Sequence, residues 1–441
     1  SHTDPVYGDG AALMEETLRN ASEVLHGEAG VLEGNADIEN AVNLNVLENT
    51  VGRENVEGAQ LVAQVAAIPN DEESRVRLAA IAELAILNGE YVPEFFYAGA
   101  ATRLGLGPMF DIRLHTEVLK EESVASDIPM GPRQYQAYQR LVERIIAKYF
   151  NGDAQAFEAY VAERMSKQKT ITHINDDNQA SVEADVLANN YYGLNPENFV
   201  FILQHMVHGY VVVIKEDGTI EVMLAEESAK LPAGHGYATL QLVMAGESYW
   251  LDKEGNRHVI ETDALDYVIS RGGKYIGVHR INDLNKFSPD SVVNLPLVGE
   301  EIRQVNEDGA EMVIEFVANP DNQKGGNLFE YPAGEGTFET IAVKGSADIM
   351  GQINGANNAD YSPMRHLYNA EAVRNILQEH SLPFYLRYRD GYWYFEGVTG
   401  DLSLHAKLGK AKEQDRVLCD FKDLKPASIE RLRIILAESD R

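Results

Sequence analysis

Phe96-Tyr97-Ala98-Gly99-Ala100-Ala101-Thr102-Arg103-Leu104-Gly105-Leu106-Gly107-Pro108 joins an apolar run to small residues, then a cation, then two glycines and a proline. That order suits a buried strand ending in a tight loop with a guanidinium at its tip. Small residues let backbone N–H groups approach a phosphate closely, and an arginine neutralises it. The loop is not a P-loop, because the Gly-x-x-x-x-Gly-Lys-Ser/Thr spacing is absent. No lysine precedes Lys120 anywhere in the chain.

Four further groupings carry chemistry. Leu231-Pro232-Ala233-Gly234-His235-Gly236-Tyr237 places an imidazole between two glycines at a helix start. Its backbone N–H groups suit the polar edge of a planar ligand such as a nucleobase, and a solvated glycine turn is the plainer reading. Asn282 and Asp283 follow a strand, where open α/β sheets bind ligands. Asp283 suits Mg²⁺, which takes one or two carboxylates plus phosphate oxygens, although a helix N-cap is the plainer reading. Gln204-His205-Met206-Val207-His208 ends another strand. An amide such as Gln204 offers a base both donor and acceptor, while two histidines without a third ligand fit ordinary polar positions better than a metal site. Lys422 and Lys425 read as a solvated charge cluster.

The elements that must hold these groups are legible from periodicity. Residues 11–90 read as helical, with Leu18, Val24 and Leu25 on one face. Val76, Leu78, Ile81, Leu84 and Leu87 continue the pattern in a second helix that stops at Asn88-Gly89. Residues 91–112 read as strand, loop, strand, and 133–165 as helix. Strands at 169–174, 199–203, 210–214 and 275–278 alternate with helices such as 180–190, which argues for a mostly parallel sheet covered by helices. Gly218 and Gly255 sit in turn signals that suit inserted hairpins. Residues 385–395 are aromatic and strand-like, and 427–438 form an amphipathic helix. The expected organisation is a helical N-terminal segment (1–90), a Rossmann-like α/β core (91–370) and a small α+β domain (371–441).

The chain has 441 residues, 38 basic and 69 acidic, for a net charge of −31. The first 90 residues hold 17 acids and 4 bases, whereas 401–441 hold 8 acids and 9 bases. Such a field repels nucleic acid and anionic lipid. The lone Cys419 excludes an internal disulfide. No apolar run approaches the ~18 residues of a membrane span, and no secretory signal is read, so a cytoplasmic protein is expected. Export by a route without such a signal stays open.

Taken in order, the groupings resemble the UDP-sugar pyrophosphorylases, which include the UDP-glucose and UDP-N-acetylglucosamine enzymes. Ala98-Gly99-Ala100-Ala101-Thr102-Arg103-Leu104-Gly105 is similar to that family's Gly-Gly-x-Gly-Thr-Arg-Leu-Gly. Asn189 to Leu194 with Phe201 to Gln204, Pro232 to Gly236, Lys324-Gly325-Gly326 and Asp423-Leu424-Lys425 resemble its later stretches, so the likeness spans roughly 75–425. It implies a Rossmann-like fold of the nucleotide-diphospho-sugar transferase type and a reaction of UTP with a sugar 1-phosphate, aided by Mg²⁺. By position, Arg103 and Lys425 would serve the phosphates, and Ala98, Gly99 and Ala100 would line the nucleotide. Gln204, Gly234, His235 and Gly236 would read uracil, and Asp283 would hold the metal. Two family glycines are alanines here, and Pro-Lys has become Pro108-Met109. A homologue that binds a nucleotide or nucleotide-sugar without turnover is therefore the alternative. Lys120, Lys167 and Lys169 are the candidate stand-ins for the lost lysine. The expected partners are small molecules, with no nucleic acid or membrane, and the oligomeric state is left open.

Overall fold

Tyr91–Phe96 and Thr170–Asn175 are buried at every position, as strands covered on both faces must be. They lie at the centre of a computed structural model that describes residues 10–22, 34–99, 105–122, 124, 127–323, 325–417 and 425–440. In chain order the strands are β1 (Gln60–Leu61), β2 (Tyr91–Phe96), β3 (Thr170–Asn175), β4 (Phe199–Gln204), β5 (Tyr210–Ile214), β6 (Ile220–Leu224), β7 (Ser248–Leu251) and β8 (Arg257–Ile260). They continue as β9 (Tyr275–Arg280), β10 (Met312–Ala318), β11 (Asn327–Tyr331), β12 (Gly334–Phe338), β13 (His366–Asn369), β14 (Phe384–Arg389), β15 (Tyr392–Gly397) and β16 (Leu408–Val417).

Nine of them form one mixed sheet in the order β16-β10-β13-β9-β2-β3-β4-β7-β8. β9, β2, β3 and β4 run parallel, and β13 and β7 run against their neighbours. The expected α/β class is thus the observed one. The chain steps outward from β2 through β3 to β4 and returns to place β9 on the other side of β2. This reversal makes the carboxyl ends of β2 and β9 a topological switch point.

Helices Glu72–Leu87, Met130–Tyr149 and Leu295–Glu307 contribute to the core on one face, and His235–Gln241, Ala264–Ser270 and Ala370–Glu379 to that on the other. The glycine hairpins form as expected: Gly218 and Gly255 have φ of 81° and 84°, a region that favours glycine. A four-stranded sheet, β14-β15-β5-β6, and a three-stranded one, β1-β11-β12, complete the strands. Within residues 371–441, β15 pairs with β5 and β16 with β10, so this segment shares sheets with earlier parts of the chain.

Two local expectations change. Among its described residues the segment 91–112 holds one strand, not two. Gly105 and Gly107 take φ of 62° and 87°, and Pro108 opens a 3-10 turn at Met109–Asp111, which breaks the extended run. In helix Glu72–Leu87, Val76 and Leu84 are exposed while Leu78, Ala82 and Ile86 are buried. The contact face is set by Gly299 of helix Leu295–Glu307: a Cβ there would lie 1.8 Å from Leu78 O, so the two helices meet backbone to backbone. Val24, Leu25, Cys419 and the Lys324 of the glycine turn lie outside the described residues.

Candidate functional site

The loop after β2 is held by two asparagines that follow β3. Asn175 Nδ2 donates to Ala98 O at 3.0 Å, and Asn178 Nδ2 donates to Tyr97 O at 2.6 Å. Asn175 Oδ1 accepts the backbone N–H groups of Asp177 and Asn178. These bonds fix the direction in which the chain leaves β2. At Gly99 an added Cβ would meet no described atom within 4 Å, and its φ is not left-handed. Among the described residues neither packing nor conformation demands glycine there, and open access to the backbone is a physical use that remains for it. Ala100 and Arg103 lie outside the described residues.

β4 ends in the same row, with Asn175 paired to Gln204. Two strand spacings put Gln204 about 10 Å from β2. Its side chain is buried, and Nε2 donates to Gly234 O at 3.1 Å. Gln204 and the Gly234-His235-Gly236 turn are thus one unit. The turn is pressed against the end of β15: Cβ atoms at Gly234 and Gly236 would lie 2.4 Å from Gly397 O and 2.3 Å from Val398 N. That close approach accounts for both glycines. His235 Nδ1 accepts the Thr399 N–H at 2.9 Å, so this nitrogen carries the lone pair and Nε2 carries the proton. Asp176, at the exposed end of β3, accepts from His205 Nδ1 and Met206 N–H at 2.8 Å each, and His208 Nδ1 lies 2.7 Å from Ser228 O. The two histidines therefore face different partners.

Asp283 takes the capping reading. Its carboxylate accepts Asn285 N–H at 3.2 Å, is buried, and pairs with the Arg365 guanidinium. Arg365 also reaches Glu315 at 3.2 Å, and Arg416 reaches Glu315 at 3.4 Å. Lys286 and His279 stand beside them, 3.3 Å apart, around a cavity of about 40 Å³. Burial pushes the Lys286 ammonium down to about 7, partly offset by Glu315, and pushes the Glu315 and Glu301 carboxyls up. These charges compensate one another within the core. A divalent ion at Asp283 would have to displace Arg365, so this residue does not fit a ready Mg²⁺ ligand. Among the described residues no three His, Cys, Asp or Glu side chains gather as a metal site.

The stand-in lysines separate cleanly. Lys167 and Lys169 precede β3, at the end of the sheet opposite Asn175, and Lys169 Nζ is spent on Gly89 O and Lys167 O at 2.6 and 2.7 Å. Lys120 is exposed in the segment that follows β2, so it alone lies on the connection leaving the correct edge. Lys425 is exposed at the N-cap of helix Pro426–Ser439.

One feature had no sequence signal. Glu94 of β2 and His173 of β3 are both 0% exposed and bonded at 2.7 Å. Glu94 Oε1, His173 Nδ1 and both nitrogens of the buried His366 lack hydrogen-bond partners among the described residues. Burial pushes the His366 imidazole down to about 3, with Arg280 adding to the shift. The pattern that hides the pair is the run of strand residues around it, in which a Glu or His reads as a surface position.

No protein-family model matches the chain, and no curated protein matches it. Solved structures do. The UDP-N-acetylglucosamine pyrophosphorylase of Trypanosoma brucei, in complex with an inhibitor, aligns over 97% of this chain and 82% of its own, with a TM-score of 0.56 and 15% identity. A putative enzyme of the same kind from Entamoeba histolytica aligns over 82% of each chain with a TM-score of 0.53 and 15% identity. A point mutant of the Leishmania major UDP-glucose pyrophosphorylase, in complex with UDP-glucose, aligns over 94% of this chain and 78% of its own, with a TM-score of 0.56 and 13% identity. The chain has the fold of these UDP-sugar pyrophosphorylases. No described helix is long and apolar enough to cross a membrane.

Proposed function

We propose that the chain is a uridylyltransferase-like protein that joins UTP and a sugar 1-phosphate to give a UDP-sugar and pyrophosphate. The observation that carries this reading is the switch point at β2 and β9. There an accessible Gly99, the Asn175 and Asn178 clamps and the Gln204–Gly234 unit share one sheet edge. The likeness of fold supports the substrate class.

In the reaction, an oxygen of the sugar phosphate attacks the α-phosphorus of UTP as the bond to pyrophosphate breaks. Bringing two anions together makes positioning and charge neutralisation the main tasks. Ala98, Gly99 and Ala100 line the nucleotide, and Gln204, Gly234, His235 and Gly236 face the base. Arg103 and Lys425 neutralise phosphate charge, with Lys120 as a further cation. Mg²⁺ belongs to this reading as a companion of the nucleotide's own phosphates, with no protein carboxylate assigned to it.

The Asp283–Arg365 pair favours a second reading, a nucleotide-binding homologue without turnover. Binding is common to both readings. Uridine nucleotides at a hundredfold over Kd are expected to stabilise the protein by about 2.7 kcal/mol, seen as a rise in Tm that ATP does not give. An unchanged Tm with UTP, UDP and UDP-sugars would remove both.

A further inference from the structure

His115 lies where the segment leaving β2 meets the C-terminal helix. It sits in the turn Leu114–Val118, and its side chain is 13% exposed. Nδ1 is 2.7 Å from Glu121 Oε2, and Nε2 is 3.0 Å from Asp440 Oδ2. A neutral imidazole has one N–H. Facing a carboxylate on each side, both nitrogens must donate, so His115 is held as the imidazolium.

The surrounding charges close the same joint. Arg133, itself buried, donates to Asp440 Oδ1 at 2.8 Å, and Arg433 donates to Glu121 Oε1 at 2.7 Å. Asp127 accepts the backbone N–H groups of His115 and Thr116 at 3.3 and 3.0 Å and stands 4.0 Å from Arg133. Arg113 bonds Asp127 O, and Glu117 accepts the Arg113 N–H. Leu432 and Leu436 of the helix are fully buried. Two leucines and a set of charge pairs therefore dock helix Pro426–Ser439, and Lys425 stands at its N-cap.

We propose that His115 is a positioning residue: its imidazolium ties the C-terminal helix to the segment after β2 and so keeps Lys425 in register with the site. The role of Lys425 rests on the function proposed above, whereas the tether does not. Partial burial pulls the His115 pKa down, but the bonds to Glu121 and Asp440 outweigh it and hold it above the ordinary histidine value. Burial raises Asp440, and Arg133 and His115 more than reverse this. A raised histidine pKa means that the tether is complete below about 6.5 and is lost as the pH rises through the raised value.

Hydrogen exchange of residues 426–439 in the full chain, corrected for intrinsic rates, tests this between pH 6 and 9. Protection is expected to fall with rising pH, about tenfold for each unit by which the pKa is raised. In His115→Gln, which donates but does not titrate, protection should be independent of pH. Asp440→Asn should lose the same pH dependence with the histidine intact. If turnover is present, His115→Gln should raise KM for UTP at pH 6 while kcat stays near native. Equal protection at pH 6 and 9 in the native chain would overturn the proposal. A pH-dependent tether in a protein without turnover would instead support the tether and count against the proposed reaction.

Discussion

Replacing Arg103 with alanine is expected to lower pyrophosphate release by about 10²–10³-fold, the usual loss for one group that stabilises transition-state charge. The chain is strongly acidic, and both proposed substrates are anions. The loop that leaves β2 carries alanines at 98, 100 and 101, and Met109 directly follows Pro108. Arg103 is therefore the cation in that loop best placed by sequence to meet the leaving phosphates. Arg103→Lys should recover only part of the rate, because an ammonium keeps the charge and loses the planar fork. A loss confined to KM for UTP would mean that Arg103 binds the ground state and the transition state equally. Steady-state kinetics at saturating sugar phosphate separate these outcomes.

The largest effect on stability is expected inside the sheet. Glu94→Ala should destabilise the protein by about 3 kcal/mol, because it strips His173 of its partner at a site without solvent. The pair joins adjacent central strands, and neither side chain has any exposed surface. His173→Ala should cost a similar amount by stranding the carboxylate. The double variant should cost less than the sum of the two, since the first substitution already breaks the bond. Denaturant unfolding of the three variants measures the coupling. Additive costs would show that the bond contributes little.

Strands β2, β3, β4 and β9 were readable because each is rich in β-branched and aromatic residues. The hairpins at Gly218 and Gly255 were readable because their glycines answer a local need for positive φ. What could not be read depends on partners remote in the chain. The Gly234-His235-Gly236 turn announces itself in sequence, but the contact that explains its glycines comes from β15, and the bond that orients His235 comes from a residue 164 positions away. Asp283 offered a cap as its plainer local use and a metal ligand as the other, and Arg365, remote in the chain, occupies the carboxylate that a metal would need. Lys167 and Lys169 were candidates because the sequence does not say which end of a strand faces the site. Once β3 is placed parallel to β2, both fall at the wrong end. His115 carried no signal, since its partners lie 6 and 325 positions away. Local chemistry was legible here, and the pairing of groups across the fold was not.

Pyrophosphate release by the native chain, incubated with UTP, Mg²⁺ and a panel of sugar 1-phosphates, tests the uridylyltransferase reading most directly. Release is expected to require both UTP and one particular sugar 1-phosphate, and not to be supported by ATP. Release no greater than that of Arg103→Ala with every sugar 1-phosphate would contradict it.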